Sequence, residues 1–201
     1  MFTKLSDKII NRFICKNVID EEDREIYNYG LNRILTVIFN VFTTLVLGVV
    51  FGKIYQIIVF LIAFMMLRTY SGGYHANTPT KCYFLTAISI TAVLSVMKFV
   101  VIDELVCLGL MILSALIIIL LSPIGTENKP LDEIEKMIYR KKTIFIWMIE
   151  VCVMLVFIVL NITEVSISII LAQLLISIAL LLGKKQNYQN VFKESILDEI
   201  N

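Results

Sequence analysis

Six long apolar runs leave this chain few ways to fold. They lie at approximately residues 31–52, 54–67, 83–102, 104–122, 144–160 and 164–182. A helix that crosses the hydrocarbon of a bilayer needs about 20 residues, with roughly 17–25 usual. Composition agrees: 58% of the 201 residues are hydrophobic and mean hydropathy is +0.85, where ordinary soluble domains are about 45–50% apolar. The expected fold class is all-α, a polytopic membrane protein of about six transmembrane helices. The second and fifth runs are short. Snorkelling of Arg68 and Lys142 would lengthen them, or the second run enters the membrane only in part. Tight connections at 52–54 and 102–104 imply hairpins of neighbouring helices.

Residues 1–29 are polar with an apolar rhythm. Phe2, Leu5, Ile9 and Phe13 recur at helical spacing, with Ile10, Ile14 and Val18 on adjacent rows and Lys4, Lys8, Arg12 and Lys16 beside them. Such a basic amphipathic helix lies in the membrane surface with its apolar face down, or packs on the protein's own cytoplasmic face. Mixed charges at the start predict no cleavable signal. Asp20-Glu21-Glu22-Asp23 is an acidic, solvated break.

Basic residues set the orientation. Sixteen of the 18 Lys and Arg fall in the N-terminal region, the 68–82 and 124–143 connections and the tail; Lys53 and Lys98 fall in the others. That bias places both termini and both basic connections in the cytoplasm of a multi-pass cell-membrane protein. Six spans satisfy the parity. The domain reading is a cytoplasmic amphipathic segment (1–29), a membrane domain (30–183) with a polar island (68–82) and a cytoplasmic loop (123–143), and a cytoplasmic tail (184–201). Within that loop a short charged helix is expected from about Leu131, and in the tail another from about Val191.

A net charge of +1 gives no basis for nucleic-acid binding. Cys15, Cys82, Cys107 and Cys152 are widely and irregularly spaced, so no disulfide framework is expected. One histidine without clustered Cys, Asp or Glu predicts no metal site, and no cofactor is expected.

The island Arg68-Thr-Tyr-Ser-Gly-Gly-Tyr-His75-Ala-Asn-Thr-Pro-Thr-Lys-Cys82 concentrates unusual residues between apolar runs. It holds the chain's single histidine, a cysteine, a Gly-Gly pair and one of three prolines. His75 and Cys82 are seven apart, about 10.5 Å along one continuous helix. A nucleophile and its base sit within roughly 2.6–3.2 Å, so a catalytic pair demands a break. Asn77-Thr78-Pro79 supplies it. Thr78 fits an N-cap, Pro79 the first helical position, and Cys82 the end of the first turn, where the helix's positive end favours an anionic sulfur. Gly72 and Gly73 suit a hinge or a slot for a bound peptide. Arg68 binds a substrate carboxylate, braces the island or simply ends a span. Ser71 and Asn77 are candidates for a third catalytic group by proximity. The plainer reading makes His75 a structural hydrogen-bonder and Cys82 a packing residue. Cys15, Cys107 and Cys152 read as unreactive.

R-x-x-S-G-G-Y-H-A-x-x-x-x-x-C, a hydrophobic hairpin, then S-P-x-x-x-x-N-K-P and a basic R-K-K resemble the accessory gene regulator B family over nearly the whole chain; Tyr29-Gly30 fits too. The resemblance implies a membrane cysteine endopeptidase of a quorum-sensing system. It would cut a small propeptide on its C-terminal side and help form a cyclic thiolactone or lactone. By position, His75 corresponds to the family's catalytic histidine and Cys82 to its nucleophile, and Arg68 and Gly73 match further positions important for processing. The resemblance also implies a homodimer. The central loop departs from the family's lysine-rich pattern, with Glu127, Asn128 and Lys129 there. Two competing readings are a non-enzymatic peptide permease or sensor subunit that uses 68–82 as a binding loop, and a purely structural membrane partner.

Overall fold

The computed structural model describes residues 3–16, 18–74, 78–125 and 131–200, with side chains from Leu5 to Gln189 within those ranges. Seven α-helices run in chain order among the described residues: α1 Thr3–Cys15, α2 Arg24–Phe51, α3 Ile54–Ser71, α4 Pro79–Phe99, α5 Glu104–Leu121, α6 Glu133–Val159 and α7 Thr163–Ile200. The six from α2 to α7 are long and apolar enough to cross a membrane. The chain is an all-α, multi-pass membrane protein.

The acidic break becomes a single 3₁₀ turn, Glu21–Asp23, against which Arg24 closes an ion pair at 2.8 Å. α2 and α3 form the expected hairpin. The N–H of Lys53 returns to the Gly48 carbonyl at 2.8 Å, and a Cβ on Gly48 would lie 2.5 Å from Ile57 Cγ2, so the two backbones approach closely. The second run is long enough to cross as a helix. α3 is an unbroken 18-residue helix that carries its last turn through Arg68 to Ser71.

Two other expectations change. The charged segment near Leu131 does not form a helix of its own: a capping box, Asp132 with Glu135, starts α6 at Glu133, and the helix continues into the membrane to Val159. Likewise the tail beyond residue 183 is not separate, because α7 runs for 38 residues. At 1.5 Å per residue that is about 57 Å, nearly twice the roughly 30 Å hydrocarbon thickness. Its second half projects past the membrane on the side of the island.

α7 is the central post. In its membrane stretch 61% of residues are buried, against at most 33% for any other span, and α3, α5 and α6 pack around it. α2 and α4 pair beside this bundle. One core cluster (Ile57, Phe60, Leu94, Met154 and Ile170 among others) fills the half away from the island. A second, smaller one (Leu67, Ile118, Ile146, Ile176, Leu180) lies directly under the island and packs against Tyr70 and Ile124. Val49, Val50, Ile88, Leu105 and Leu120 face outward, where lipid replaces water as the solvent.

The sequence reading passed over a polar contact in the bundle interior. Gln173 of α7, fully buried, donates to Glu150 of α6 at 3.2 Å and accepts from Ser114 of α5 at 3.2 Å. Three helices are thus pinned in register where stray polar groups are costly. Glu150→Gln keeps an acceptor for Gln173 and should leave detergent-solubilised stability within about 1 kcal/mol. Gln173→Leu strips Glu150 of its donor and should cost about 1–2 kcal/mol. Thermal unfolding of the purified variants checks both.

Candidate functional site

The island is built from the end of α3 outward. Leu67 is buried in the cluster beneath it, and the next residue turns its side chain back along the chain. Arg68 donates from Nη1 to the carbonyl of Gly72 and from Nη2 to that of Tyr74. The guanidinium fork therefore clamps two successive turns of irregular backbone. This is the bracing role; the carboxylate-binding and span-ending roles are not needed to explain its placement.

Backbone conformation follows from the two glycines. Gly72 has φ 68° and Gly73 φ 115°, both in the region that side chains avoid. Space is as restrictive as angle. A Cβ on Gly72 would stand 2.1 Å from the Ile124 carbonyl oxygen, and one on Gly73 would stand 2.4 Å from Arg68 Nη1. The close approach at Gly72 exists because the island pairs with the loop after α5: Ile124 donates its N–H to the Ser71 carbonyl at 3.0 Å. Ser71 itself is fully buried, and its hydroxyl is aimed at the Gly72 carbonyl. It contributes to this turn and not to an open site.

The other wall is α7. Tyr74 donates its N–H to the Ala179 carbonyl at 2.8 Å. One turn on, a Cβ at Gly183 would stand 2.7 Å from Tyr74 N and 2.8 Å from the Gly73 carbonyl carbon. One further turn on, Asn187 donates to the Gly125 carbonyl at 3.0 Å. Residues 179, 183 and 187 lie on one face of α7 and hold both the island and its partner loop. Sequence reasoning missed Gly183 and Asn187. The available signal was that Gly183 is the single glycine after Gly125.

Past the island, α4 begins as the residue types dictate. Thr78 is extended, its Oγ1 accepts from the Lys81 N–H at 3.3 Å, and Pro79 occupies the first helical position. Cys82 follows in the first turn, its N–H bonded to the Thr78 carbonyl at 3.0 Å. Its thiol is free and partly exposed, whereas Cys107 is buried in the bundle. This turn docks on α2: the Tyr83 ring lies 5.2 Å from that of Phe39, and its hydroxyl is 3.4 Å from Thr43 Oγ1. The break demanded between positions 75 and 82 is present. His75 and Asn77 lie outside the described residues. Tyr74 and Thr78, which flank that segment, are held by the bonds just described.

Basic side chains gather at the island end of the bundle. Arg68 lies within electrostatic reach of both Cys82 and Arg33 of α2. Lys142 sits over the Tyr70 ring at 5.0 Å, and Tyr70 meets Tyr139 edge-on. Three helices thus bring basic side chains to the membrane end that carries Cys82, a setting that suits an anionic ligand. Among the described residues no cluster of His, Cys, Asp and Glu could hold a metal ion.

Comparison with known proteins places the chain in a family. The chain is 28% identical over 152 residues to the AgrB-like protein 2 of Clostridium perfringens (strain 13 / Type A), an alignment that covers 71% of this chain and 70% of the relative. It is 28% identical over 130 residues to an AgrB-like protein of Lactiplantibacillus plantarum, covering 64% of each. No solved structure matches. The family model for accessory gene regulator B matches residues 5–181, a span that takes in α2 to α6, the island and α7 as far as Leu181. The chain belongs to the accessory gene regulator B family.

Proposed function

We propose that this protein is a membrane-embedded cysteine endopeptidase that cleaves the C-terminal part from a small quorum-sensing propeptide and promotes its cyclisation. Family membership ties the chain to processing of an accessory gene regulator autoinducer. The observation that carries the finer reading is the placement of Cys82: a free, partly exposed thiol in the first turn of a Pro-started helix, beside Arg68. The island faces the cytoplasm in this reading, where the propeptide is made.

His75 takes the thiol proton, and the Cys82 thiolate attacks the scissile carbonyl carbon. The C–N bond breaks, and the departing C-terminal fragment takes the proton from His75 as it leaves as an amine. The peptide's N-terminal part remains on Cys82 as a thioester. An internal Cys or Ser of the propeptide then attacks that thioester, closes the thiolactone or lactone ring and frees Cys82. Ring closure outruns hydrolysis because the internal nucleophile is held near and the membrane edge limits water. The Gly72–Tyr74 backbone, clamped by Arg68 and docked on α7, is a fixed support of the kind that such positioning needs. Asn77, adjacent to the pair in sequence, is the candidate to orient the His75 ring, and a homodimer is the proposed assembly.

Mass spectrometry of the protein co-expressed with its propeptide tests this reading. A thioester adduct on Cys82 and a released C-terminal fragment are expected for the wild type. An adduct on another residue, or fragment release without any adduct-competent thiol at position 82, overturns it. Arg68→Lys tests the clamp. A lysine keeps the charge but reaches one carbonyl where arginine holds two, so turnover should fall about 10- to 100-fold, in line with roughly 1 Å of misplacement. Quantified fragment release at matched protein level is the readout.

A further inference from the structure

α1 carries a face that neither the fold nor the candidate site uses. One side docks on α2: Ser6 and Ile10 are buried, Asn32 donates to Ser6 Oγ at 2.8 Å, and Arg24 donates to Asn11 at 2.7 Å. Asn28 bonds with Ser6 and Asp7. Around the helix from this seam, Leu5 and Phe13 stand exposed with half-buried Ile9 between them. The next row is Lys8, Arg12 and, just past the helix, Lys16, all exposed. Among the described residues no acidic side chain pairs with these three cations. With Asn11 and Cys15 they line an open cleft of about 510 Å³.

Depth decides what meets this face. Measured along α2 from Phe51, Asn32 lies about 28 Å and Asn28 about 35 Å away at 1.5 Å per residue. The hydrocarbon is about 30 Å thick, and headgroups extend the bilayer to roughly 40–45 Å. The residues that grip α1 therefore stand at the boundary of the acyl chains and in the headgroup layer. At that depth an exposed apolar row beside an uncompensated basic row matches the two chemistries of a phospholipid.

We propose that the Lys8–Arg12–Lys16 row of α1 is a binding surface for anionic phospholipid headgroups, with Leu5 and Phe13 inserted among the acyl chains beside it. A soluble acidic polypeptide would satisfy the cations but leave the apolar row in water. Because α1 is bonded to the base of α2, which also carries Arg33 within electrostatic reach of Arg68, lipid bound there steadies the helix that backs the candidate site.

The test uses the full-length protein, purified in a zwitterionic detergent and titrated with phosphatidylglycerol or phosphatidylcholine under native mass spectrometry. Phosphatidylglycerol should bind in preference. The triple change Lys8→Gln, Arg12→Gln, Lys16→Gln should weaken it roughly 100-fold, as loss of three juxtamembrane charges predicts. Lys8→Arg with Lys16→Arg should bind as the wild type does, and so should Lys136→Gln with Lys141→Gln, basic residues remote in sequence from α1. Equal binding of both lipids, or unchanged phosphatidylglycerol binding by the triple variant, overturns the proposal. Displacement by millimolar inorganic phosphate, or preference for a soluble oligoglutamate over the lipid, also overturns it and assigns the cleft to a small anion or an acidic polypeptide.

Discussion

Cys82→Ser is expected to lower propeptide cleavage at least about 10⁴-fold, with protein level and membrane insertion unchanged. Serine keeps the size and the hydrogen-bonding character of the position, so the first turn of α4, capped by Thr78 and started by Pro79, has no reason to unravel. What changes is the nucleophile. A hydroxyl stays protonated near neutrality unless a strong base acts on it, whereas a thiol is already a few per cent thiolate and intrinsically more nucleophilic. Losses of this order accompany removal of a member of a nucleophile–base pair. Cleavage followed by release of the C-terminal fragment is the measurement. Cys82→Ala and His75→Ala should match the serine variant, because residues that act as one unit are not additive. The permease or sensor reading makes the opposite forecast. A packing cysteine loses little on truncation, so peptide handling would survive Cys82→Ala, and such survival ends the peptidase reading.

Much of this frame was legible because each local choice agreed with the global one. Apolar runs of membrane length became spans, and the turn at 52–54 became a hairpin. Thr78-Pro79 started α4 where N-cap and N1 preferences put it. Misreadings cluster where a tertiary contact overrides a local stop signal. Arg68 reads as the end of an apolar run, yet α3 continues through it because its guanidinium is occupied by the Gly72 and Tyr74 carbonyls. Gly183-Lys184-Lys185 reads as a helix end, yet α7 passes straight through. Its glycine is spent on closeness to the island and not on a left-handed cap. The Glu150–Gln173–Ser114 contact joins three helices and leaves no trace in spacing along one. At the site, the reading named candidate residues on the island itself. It missed those on α7 that hold them, since a supporting helix some hundred residues away has no motif of its own.

Gly183→Val is expected to cut processing about 100- to 1,000-fold although residue 183 is not a candidate for the chemistry. Even the Cβ of alanine would sit 2.7 Å from Tyr74 N and 2.8 Å from the Gly73 carbonyl carbon, where carbon contacts are comfortable at roughly 3.5–4.0 Å. Those atoms are backbone, so they cannot swing aside as the end of a side chain would. Either α7 or the Gly73–Tyr74 segment must retreat by about 1 Å, which alone costs on the order of 100-fold in a positioned reaction. Retreat also breaks the Tyr74 N–H bond to Ala179 and loosens the Arg68 clamp on the Tyr74 carbonyl. The segment that leads into His75 then loses its mooring. Gly183→Ala should give an intermediate loss. Gly109→Ala is the control: nothing lies within 4 Å of its Cβ, and alanine in a helix is favoured over glycine by about 1 kcal/mol, so activity should hold. Fragment release and thermal stability measured together separate the outcomes. Processing lost at near wild-type stability supports the α7 mooring; equal losses of both would make Gly183 a packing residue, and wild-type processing by Gly183→Val would refute the mooring outright.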